Sequence, residues 1–408
     1  MPSSSSHSPS AFPAPLRVAL FTGAYNHIAD GVSLTLNRLV AFLERQGAEV
    51  LVFGPTVADP PVRHAGTLVP VPSIPAPGRP DYRISLGLPG AARARLATFR
   101  PDLVHIATPD LLGLRARRWA LEAGVPLVAS YHTHFTSYLK YYRLEALEGL
   151  LWAYLRWFYR PCAHVYVPSP SMADVLAARG IEGNVRLWAR GVDTDRFNPA
   201  HRSLPWRRSL GFRDDDVVVA YIGRLVWEKG LDLVAELFTR LEADGVAHRS
   251  LIVGDGPIRP ELAARLPRTV FTGHLAGEDL ARAYASADVF VFPSETETFG
   301  NVTLEAMASG LPAVCADATG SRSLVEHGTT GYLAPPGDVA AFLGYVTRLV
   351  QDAALRKTMG AAARQRAQSY AWDVVLGTLL GYYEELLGRT SPPAATTPAV
   401  PAPHRMPR

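Results

Sequence analysis

The sequence VFVFPSETETFGNVTLEAMASGLPAVCAD, residues 289–317, contains the pattern most informative about the fold. It reads as a buried strand ending at Phe292, a polar loop, a helix that stops at Gly310, and a second apolar strand. This order predicts a right-handed crossover between two parallel strands of one sheet. Because ligands bind beyond the carboxyl ends of such strands, we expect the loop after Phe292 to border a binding site.

The same alternation of apolar strands and amphipathic helices runs through most of the chain. Predicted strands in the first half span residues 18–21, 50–53, 103–106, 127–130, 164–167 and 185–188. Those in the second half span residues 217–222, 251–253, 270–271, 289–292, 312–315 and 331–333. Two such blocks predict an α/β protein with two Rossmann-like, doubly wound domains that face each other across a cleft.

Composition shifts place the domain boundaries. Ser/Pro-rich residues 1–15 and Pro/Ala/Thr-rich residues 391–408 are expected to be disordered tails. The first domain is predicted to span 16–200, the second 201–370, and a helix 371–390. Within the first domain, residues 55–80 contain eight prolines and are expected to form an extended surface loop.

Composition also limits the class of protein. The 408 residues are 48% hydrophobic and 19% charged, which suits a folded chain of two or three domains. No apolar run approaches the ~20 residues that cross a bilayer, and the first residues do not resemble a secretory signal. Cys162 and Cys315 are expected to be buried, reduced thiols. These features predict a cytoplasmic protein.

Charge is unevenly distributed along the chain. Residues 16–200 carry 20 basic and 14 acidic side chains, whereas residues 201–390 carry 19 and 23. Two interpretations stay open: the basic half contacts something anionic, or the charges are scattered by chance. No basic run matches a nucleic-acid reader, so no nucleic-acid partner is expected.

Cations stand at a predicted strand–turn–helix junction in YIGRLVWEKGLDLV, residues 221–234. Arg224 and Lys229 flank the helix start, where backbone N–H groups and the helix dipole also favour an anion. This arrangement suits a diphosphate; the alternative is an ordinary βα loop with surface charges. LIVGDGP, residues 251–257, predicts a second strand and glycine turn.

Two carboxylates flank another predicted helix start. Glu297 lies in the loop after Phe292, and Glu305 lies in the helix that follows. They are placed to accept hydrogen bonds from sugar and ribose hydroxyls, with the N–H groups around Gly300–Val302 meeting phosphate between them. The alternative for Glu305 is a solvated helix face.

The sequence does not contain the motifs of several other common enzyme classes. The first predicted strand is not followed by G-x-G-x-x-G, and G-x-x-x-x-G-K-[ST], G-x-S-x-G and H-E-x-x-H are absent. The acidic triplets at 193–195 and 214–216 are expected to be acidic turns rather than metal ligands. The sequence therefore predicts no metal and no cofactor.

Taken together, ETFGNVTLEAMASGLP, GRLVWEKG, GDGP and RGVDTDRFNP resemble the GT-B-fold retaining glycosyltransferases of family 4, over roughly residues 16–390. The resemblance implies that Arg224 and Lys229 bind the donor diphosphate, that Glu297 contacts the donor hexose, and that Glu305 contacts the ribose. It also implies that the backbone at Gly300, Asn301 and Val302 cradles phosphate.

The first half agrees with this resemblance. HIADGVSLTLNRL, residues 27–39, is similar to the family's loop after the first strand and places Gly31 near the donor phosphates. SYHTHFTSYLKYY, residues 130–142, places His132 at the family's active-site histidine, facing the donor sugar; the alternative is an ordinary loop histidine. The helix at 371–390 resembles the family's last helix, which crosses back to the first domain.

The resemblance implies transfer of a mannose- or glucose-type hexose from a GDP- or UDP-sugar, with retention, to a lipid or lipid-linked acceptor. His132, Arg224, Lys229 and Glu297 are the implied catalytic residues. Two alternatives remain open: the same fold with a soluble sugar or polyol acceptor, and a non-catalytic protein that binds sugar nucleotides.

Membrane contact rests on residues 134–160, which mix aromatic side chains with arginine and lysine. This mixture suits a peripheral position on the inner face of the cell membrane. The alternative is a long core helix of the first domain.

Overall fold

The computed structural model describes residues 15–77, 79–131, 148–297 and 299–389. These residues form two compact units. The described residues of the first unit fall within 15–168, 173–188 and 376–389, and those of the second fall within 169–172 and 189–375. The expected tails at 1–15 and 391–408 lie outside the described residues, apart from Pro15.

The first unit is built on a seven-stranded parallel sheet with the order β3-β2-β1-β6-β7-β8-β9. Its strands are β1 (Arg17–Phe21), β2 (Glu49–Gly54), β3 (Thr67–Pro70), β6 (Leu103–Ile106), β7 (Leu127–Ser130), β8 (His164–Val167) and β9 (Val185–Leu187). An antiparallel hairpin, β4 (Ser73–Ala76) and β5 (Arg79–Ser85), lies between β3 and β6 in the chain. The described helices are α1 (Gly31–Arg45), α2 (Gly90–Phe99), α3 (Leu111–Ala123), α4 (Glu148–Tyr159) and α5 (Pro170–Ala177).

The expectation of an irregular loop at 55–80 is wrong for its second half. Residues 67–70 form the edge strand β3, residues 73–76 form β4, and β5 begins at Arg79. An edge strand tolerates proline because one of its sides needs no ladder hydrogen bonds, and Pro70 is the last residue of β3. Because prolines usually mark loops, the strands β3 and β4 and the start of β5 were not predicted from the sequence.

A buried polar contact crosses the first unit. His105 on β6 is completely buried and bonds Tyr383 Oη through Nδ1, at 2.6 Å, and Ser130 Oγ through Nε2, at 2.5 Å. Burial lowers the pKa of His105 to about 3. The imidazole is therefore neutral, which allows it to donate from one nitrogen and accept at the other.

The second unit is built on a six-stranded parallel sheet with the order β12-β11-β10-β13-β14-β15. Its strands are β10 (Val218–Ile222), β11 (Arg249–Val253), β12 (Val270–Gly273), β13 (Val289–Phe292), β14 (Ala313–Ala316) and β15 (Gly331–Ala334). Its described helices are α6 (Leu204–Ser209), α7 (Leu231–Ala243), α8 (Arg259–Arg265), α9 (Gly277–Ala285), α10 (Asn301–Ala308), α11 (Thr319–Leu324), α12 (Val339–Gln351) and α13 (Ala353–Gln368). One further helix, α14 (Trp372–Leu386), follows.

Its central strands explain the apolar runs in the sequence. Every residue of β10, β13 and β14 is buried, as expected for parallel strands covered on both faces. Each is four or five residues long, and each ends where a polar or glycine-rich loop begins. Residues with polar side chains are thereby collected at the carboxyl edge of the sheet.

Apart from residues 169–172, the second unit begins after Trp188, whereas the sequence places the domain boundary after residue 200. Residues 189–200 bond to other parts of the second unit. The Val192 N–H donates to the Tyr370 carbonyl at 2.8 Å, and Arg364 donates to the Phe197 carbonyl at 2.7 Å. This turn-rich segment therefore packs on α13 and the residues that follow it.

Helix α14 begins in the second unit, and its residues from Leu376 onward belong to the first.

Both cysteines are buried, and burial raises the pKa of each thiol to about 12. In the part of the chain that the structure describes, every helix is too short or too polar to cross a bilayer.

Candidate active site

The loop after β10 carries the first of the predicted cations. Gly223 donates its N–H to the Val253 carbonyl at 2.9 Å, which places the loop against β11. Arg224 follows, and its backbone carbonyl accepts a hydrogen bond from Tyr221 Oη at 3.1 Å. Its guanidinium lies outward, 68% exposed, with Nη2 3.2 Å from Glu228 Oε1. A hydrogen bond thus holds the backbone of Arg224, whereas its charged guanidinium is exposed to solvent.

Glycines allow the loops after β10 and β11 to lie in direct backbone contact. A Cβ on Gly254 would come within 1.9 Å of the Gly223 carbonyl oxygen, and one on Gly256 within 2.2 Å of the Leu225 oxygen. Side chains are sterically excluded at both positions. The GDGP pattern therefore fixes the approach of two loops at the carboxyl edge of the sheet.

Lys229 lies in a short 3-10 turn, Trp227–Lys229, before α7. Gly230 follows with φ of +75°, and a Cβ there would lie 3.0 Å from the Pro293 carbonyl oxygen. This close approach brings the lysine to the loop after β13. Its Nζ donates to Glu297 Oε1 at 2.8 Å and to Thr296 Oγ1 at 3.0 Å.

The start of α10 presents backbone N–H groups beside this pair. Gly300 precedes the helix with φ of +96°, a conformation that favours glycine, and none of the described side chains caps the helix. Asn301 and Val302 are the first helical residues, so their N–H groups point away from the helix body. An anion at this position would also be stabilised by the helix dipole.

Gly320 holds the loop and α11 together. A Cβ at this position would lie 2.8 Å from the Glu297 Cβ and 2.9 Å from the Glu297 carbonyl oxygen. The N-terminal part of α11 therefore fixes the backbone position from which the Glu297 carboxylate reaches Lys229.

Glu305 lies in the second turn of α10 and is partly buried. Its Oε2 accepts a hydrogen bond from Tyr284 Oη at 3.1 Å. Burial, reinforced by the Glu305 charge, raises the pKa of Tyr284 well above its usual range. The tyrosine therefore stays protonated and donates, so Glu305 is not the simple solvated face residue of the alternative interpretation.

The structure brings some predicted residues into contact and separates others. Lys229 and Glu297 pair directly, whereas Arg224 pairs with Glu228 and Glu305 with Tyr284. Thr296, Glu228 and Tyr284 were missed at the sequence level. Glu228 stands four residues after Arg224, a spacing that suits an ion pair, whereas nothing in the spacing of Thr296 or Tyr284 signals their contacts.

The two predicted site residues of the first half have different outcomes. Gly31 is the first residue of α1, where Asp30 caps the helix by accepting from the Val32 and Ser33 N–H groups at 3.0 and 2.8 Å. Its predicted contact with donor phosphates stays a prediction. His132 lies outside the described residues.

The acidic triplets are engaged by protein groups. Asp193 accepts from the Arg196 N–H at 3.0 Å, and Asp215 pairs with Arg213 at 2.8 Å. Asp214 pairs with Arg208 at 2.5 Å. Among the described ranges, no three His, Cys, Asp or Glu side chains cluster in a way that would hold a metal ion.

Two family models match the chain. Residues 29–196 match the model described as glycosyltransferase family 4, and residues 216–352 match that of glycosyl transferases group 1. A GDP-mannose-dependent alpha-mannosyltransferase from Mycobacterium tuberculosis is 38% identical over 387 residues, covering 93% of this chain and 99% of that protein. The chain belongs to glycosyltransferase family 4. It is therefore a glycosyltransferase, as the motifs predicted.

Other members extend the comparison. This family 4 enzyme is 26% identical to an alpha-monoglucosyldiacylglycerol synthase from Streptococcus pneumoniae over 311 residues, 73% of this chain and 70% of that protein. It also resembles the solved sucrose-phosphate synthase from Thermosynechococcus elongatus, with a TM-score of 0.71 and 22% identity over 92% of this chain and all of the other. The predicted GT-B fold, with two Rossmann-like parallel-sheet domains, is confirmed.

Proposed function

We propose that this glycosyltransferase moves a mannose- or glucose-type hexose from a GDP- or UDP-sugar to a lipid or lipid-linked acceptor, retaining the α configuration. The mannosyltransferase relative is named for GDP-mannose, and the Streptococcus pneumoniae relative for a glucosylated diacylglycerol. Their names support a hexose donor and a lipid acceptor for this chain.

The observation that carries the proposal is the contact between Lys229 and Glu297. The lysine is the cation for the donor diphosphate, and the carboxylate contacts the hexose hydroxyls, so the pair marks where sugar and phosphate meet. As the bond from the anomeric carbon to the phosphate oxygen breaks, negative charge grows on the diphosphate. Lys229 and Arg224 stabilise that charge where it develops.

The start of α10 completes the donor site. We assign the β-phosphate to the N–H groups of Asn301 and Val302 beside Gly300, and the ribose hydroxyls to Glu305. The departing phosphate oxygen takes the proton of the attacking acceptor hydroxyl, while the new glycosidic bond forms on the same face of the sugar. The products are the nucleoside diphosphate and the α-glycoside. His132 is assigned to the donor sugar by resemblance.

The acceptor is assigned to the first unit, which carries the basic excess. The described part of the aromatic segment, α4, buries Trp152, Leu155, Phe158 and Tyr159, as a core helix does. Leu150 and Trp157 on the same helix are exposed. We propose peripheral attachment to the cytoplasmic face of the membrane, which high salt would release.

The test is a screen of the purified protein with GDP- and UDP-linked mannose and glucose, using a lipid extract or soluble sugars as acceptor. Formation of a glycolipid from one donor, with an α linkage by NMR, supports the proposal. Transfer only to soluble sugars, or binding without transfer, overturns it. The proposed reaction uses no metal, so activity should persist in EDTA; complete loss would contradict that part.

A further inference from the structure

Tyr284 is a buried tyrosine whose ring and hydroxyl both have defined partners. It lies on α9, its side chain is completely buried, and its ring contacts two others. The Phe197 ring meets it edge-on at 5.6 Å, and the Phe290 ring lies 6.1 Å away. These contacts fix the direction of its hydroxyl.

The hydroxyl points to one acceptor that belongs to the donor site. Tyr284 Oη donates to Glu305 Oε2 at 3.1 Å, from a different helix. A hydrogen bond to a carboxylate is stronger than one between neutral groups. Since the Tyr284 hydroxyl cannot rotate away, the hydrogen bond restricts the side-chain rotamer of Glu305 on α10.

We propose that Tyr284 is a positioning residue for the nucleotide: it orients the Glu305 carboxylate to receive the ribose hydroxyls. This inference rests on the proposed function. It also gives a role to Phe197 in the RGVDTDRFNP segment, because that ring braces Tyr284 rather than touching the ligand. Tyr284 itself touches neither substrate.

The proposal predicts a change in the donor KM without a change in kcat. Ribose contacts are equally strong before and during sugar transfer, so their loss weakens donor binding without slowing chemistry. Loss of the hydroxyl in Tyr284→Phe should raise the donor KM about five- to tenfold. The kcat should stay within about twofold of the wild-type value.

The experiment compares Tyr284→Phe, Glu305→Ala and the double variant in full-length protein, measuring kcat, KM and nucleoside diphosphate affinity by calorimetry. Phenylalanine keeps the ring packing, and unfolding temperatures verify that each variant is folded. Tyr332→Phe is the matched control, because Tyr332 is also buried in the second unit but stacks on Tyr345. It should leave both constants unchanged.

If Tyr284 acts through Glu305, the two effects are not additive, and Tyr284→Phe adds nothing in the Glu305→Ala background. An unchanged KM in Tyr284→Phe, a fall confined to kcat, or additive effects would overturn the inference while leaving the proposed function intact. Normal nucleotide binding by Glu305→Ala would overturn both the inference and the assigned role of Glu305.

Discussion

Lys229 Nζ lies 2.8 Å from Glu297 Oε1, although 68 residues separate them in the chain. The two residues follow β10 and β13, which are neighbouring parallel strands. Parallel pairing brings both loops to the same edge of the sheet. Both side chains are mostly buried, at 15% and 25% exposure, so their charges attract each other with less screening than at the open surface.

Removal of this lysine should reduce turnover far more than stability. If Lys229 binds the departing diphosphate as proposed, Lys229→Ala removes a cation from it, and we expect kcat to fall about 10²- to 10³-fold. The fold should persist, because water can reach the Glu297 carboxylate. Steady-state kinetics and thermal unfolding check both parts. Lys357→Ala, an exposed lysine on α13, is the control; near-normal turnover in Lys229→Ala would refute the assignment.

Arg224 should matter for the donor rather than for the fold. It forms an exposed i, i+4 ion pair with Glu228, which stabilises a protein little. Arg224→Ala should lower kcat/KM for the donor about 10- to 100-fold through the diphosphate contact. Arg240→Ala removes a comparable exposed pair, with Glu236, on α7 and should change kcat/KM less than twofold. Equal losses in both variants would argue against a role in donor binding.

A methyl group at position 320 should displace the Glu297 loop. In Gly320→Ala the new Cβ overlaps the Glu297 backbone and Cβ at under 3 Å, so the loop must shift. We expect donor affinity and kcat to fall together, each by about tenfold or more. Gly344→Ala, where a Cβ meets nothing within 4 Å, should leave both constants unchanged. Wild-type kinetics in Gly320→Ala would show that the loop position is not critical.

His105 should make the protein sensitive to acid. Its pKa is about 3 in the folded chain, because of burial, and ~6.5 in the unfolded chain. Between these values the unfolded state binds the extra proton, so the free energy of unfolding falls as pH decreases, by up to about 1.4 kcal/mol per pH unit. Above pH ~6.5 this contribution is constant.

Urea unfolding of wild type and His105→Gln at pH 7.5, 6 and 5 measures this effect. The stability difference between the two proteins should narrow as pH falls. His27 and His164, whose pKa values burial also lowers, are present in both and cancel in the difference. A difference independent of pH would contradict the buried, neutral state of His105.

Much of the fold was predictable because local sequence and tertiary burial agree. The runs at β10, β13 and β14 are apolar throughout, which suits strands buried on both faces. The strand β3 was missed because prolines around Thr67–Pro70 normally mark a loop. The unit boundary was misplaced because turn-rich residues near Val192 are held by distant residues, which local composition does not reveal.

Charged residues of the candidate site that stand in a sequence motif could be predicted. The side chains that form hydrogen bonds with them could not. Lys229, Glu297 and Glu305, which we propose for the donor site, stand at characteristic spacings in motifs that contain glycine. Their partners Thr296 and Tyr284 do not, since a loop hydroxyl and a hydroxyl from a separate helix leave no periodic pattern. Sequence thus indicates which side chains meet a ligand better than which side chains hold them in place.

The Tyr383–His105 hydrogen bond has a consequence for how the protein is made. The two residues are 278 positions apart, and Tyr383 belongs to the last described helix. At roughly 5–20 residues per second, a ribosome needs about 15–55 s to add that length of chain. The unit that is translated first therefore lacks the partner of His105 until residues 376–389, its last described segment, have been synthesised.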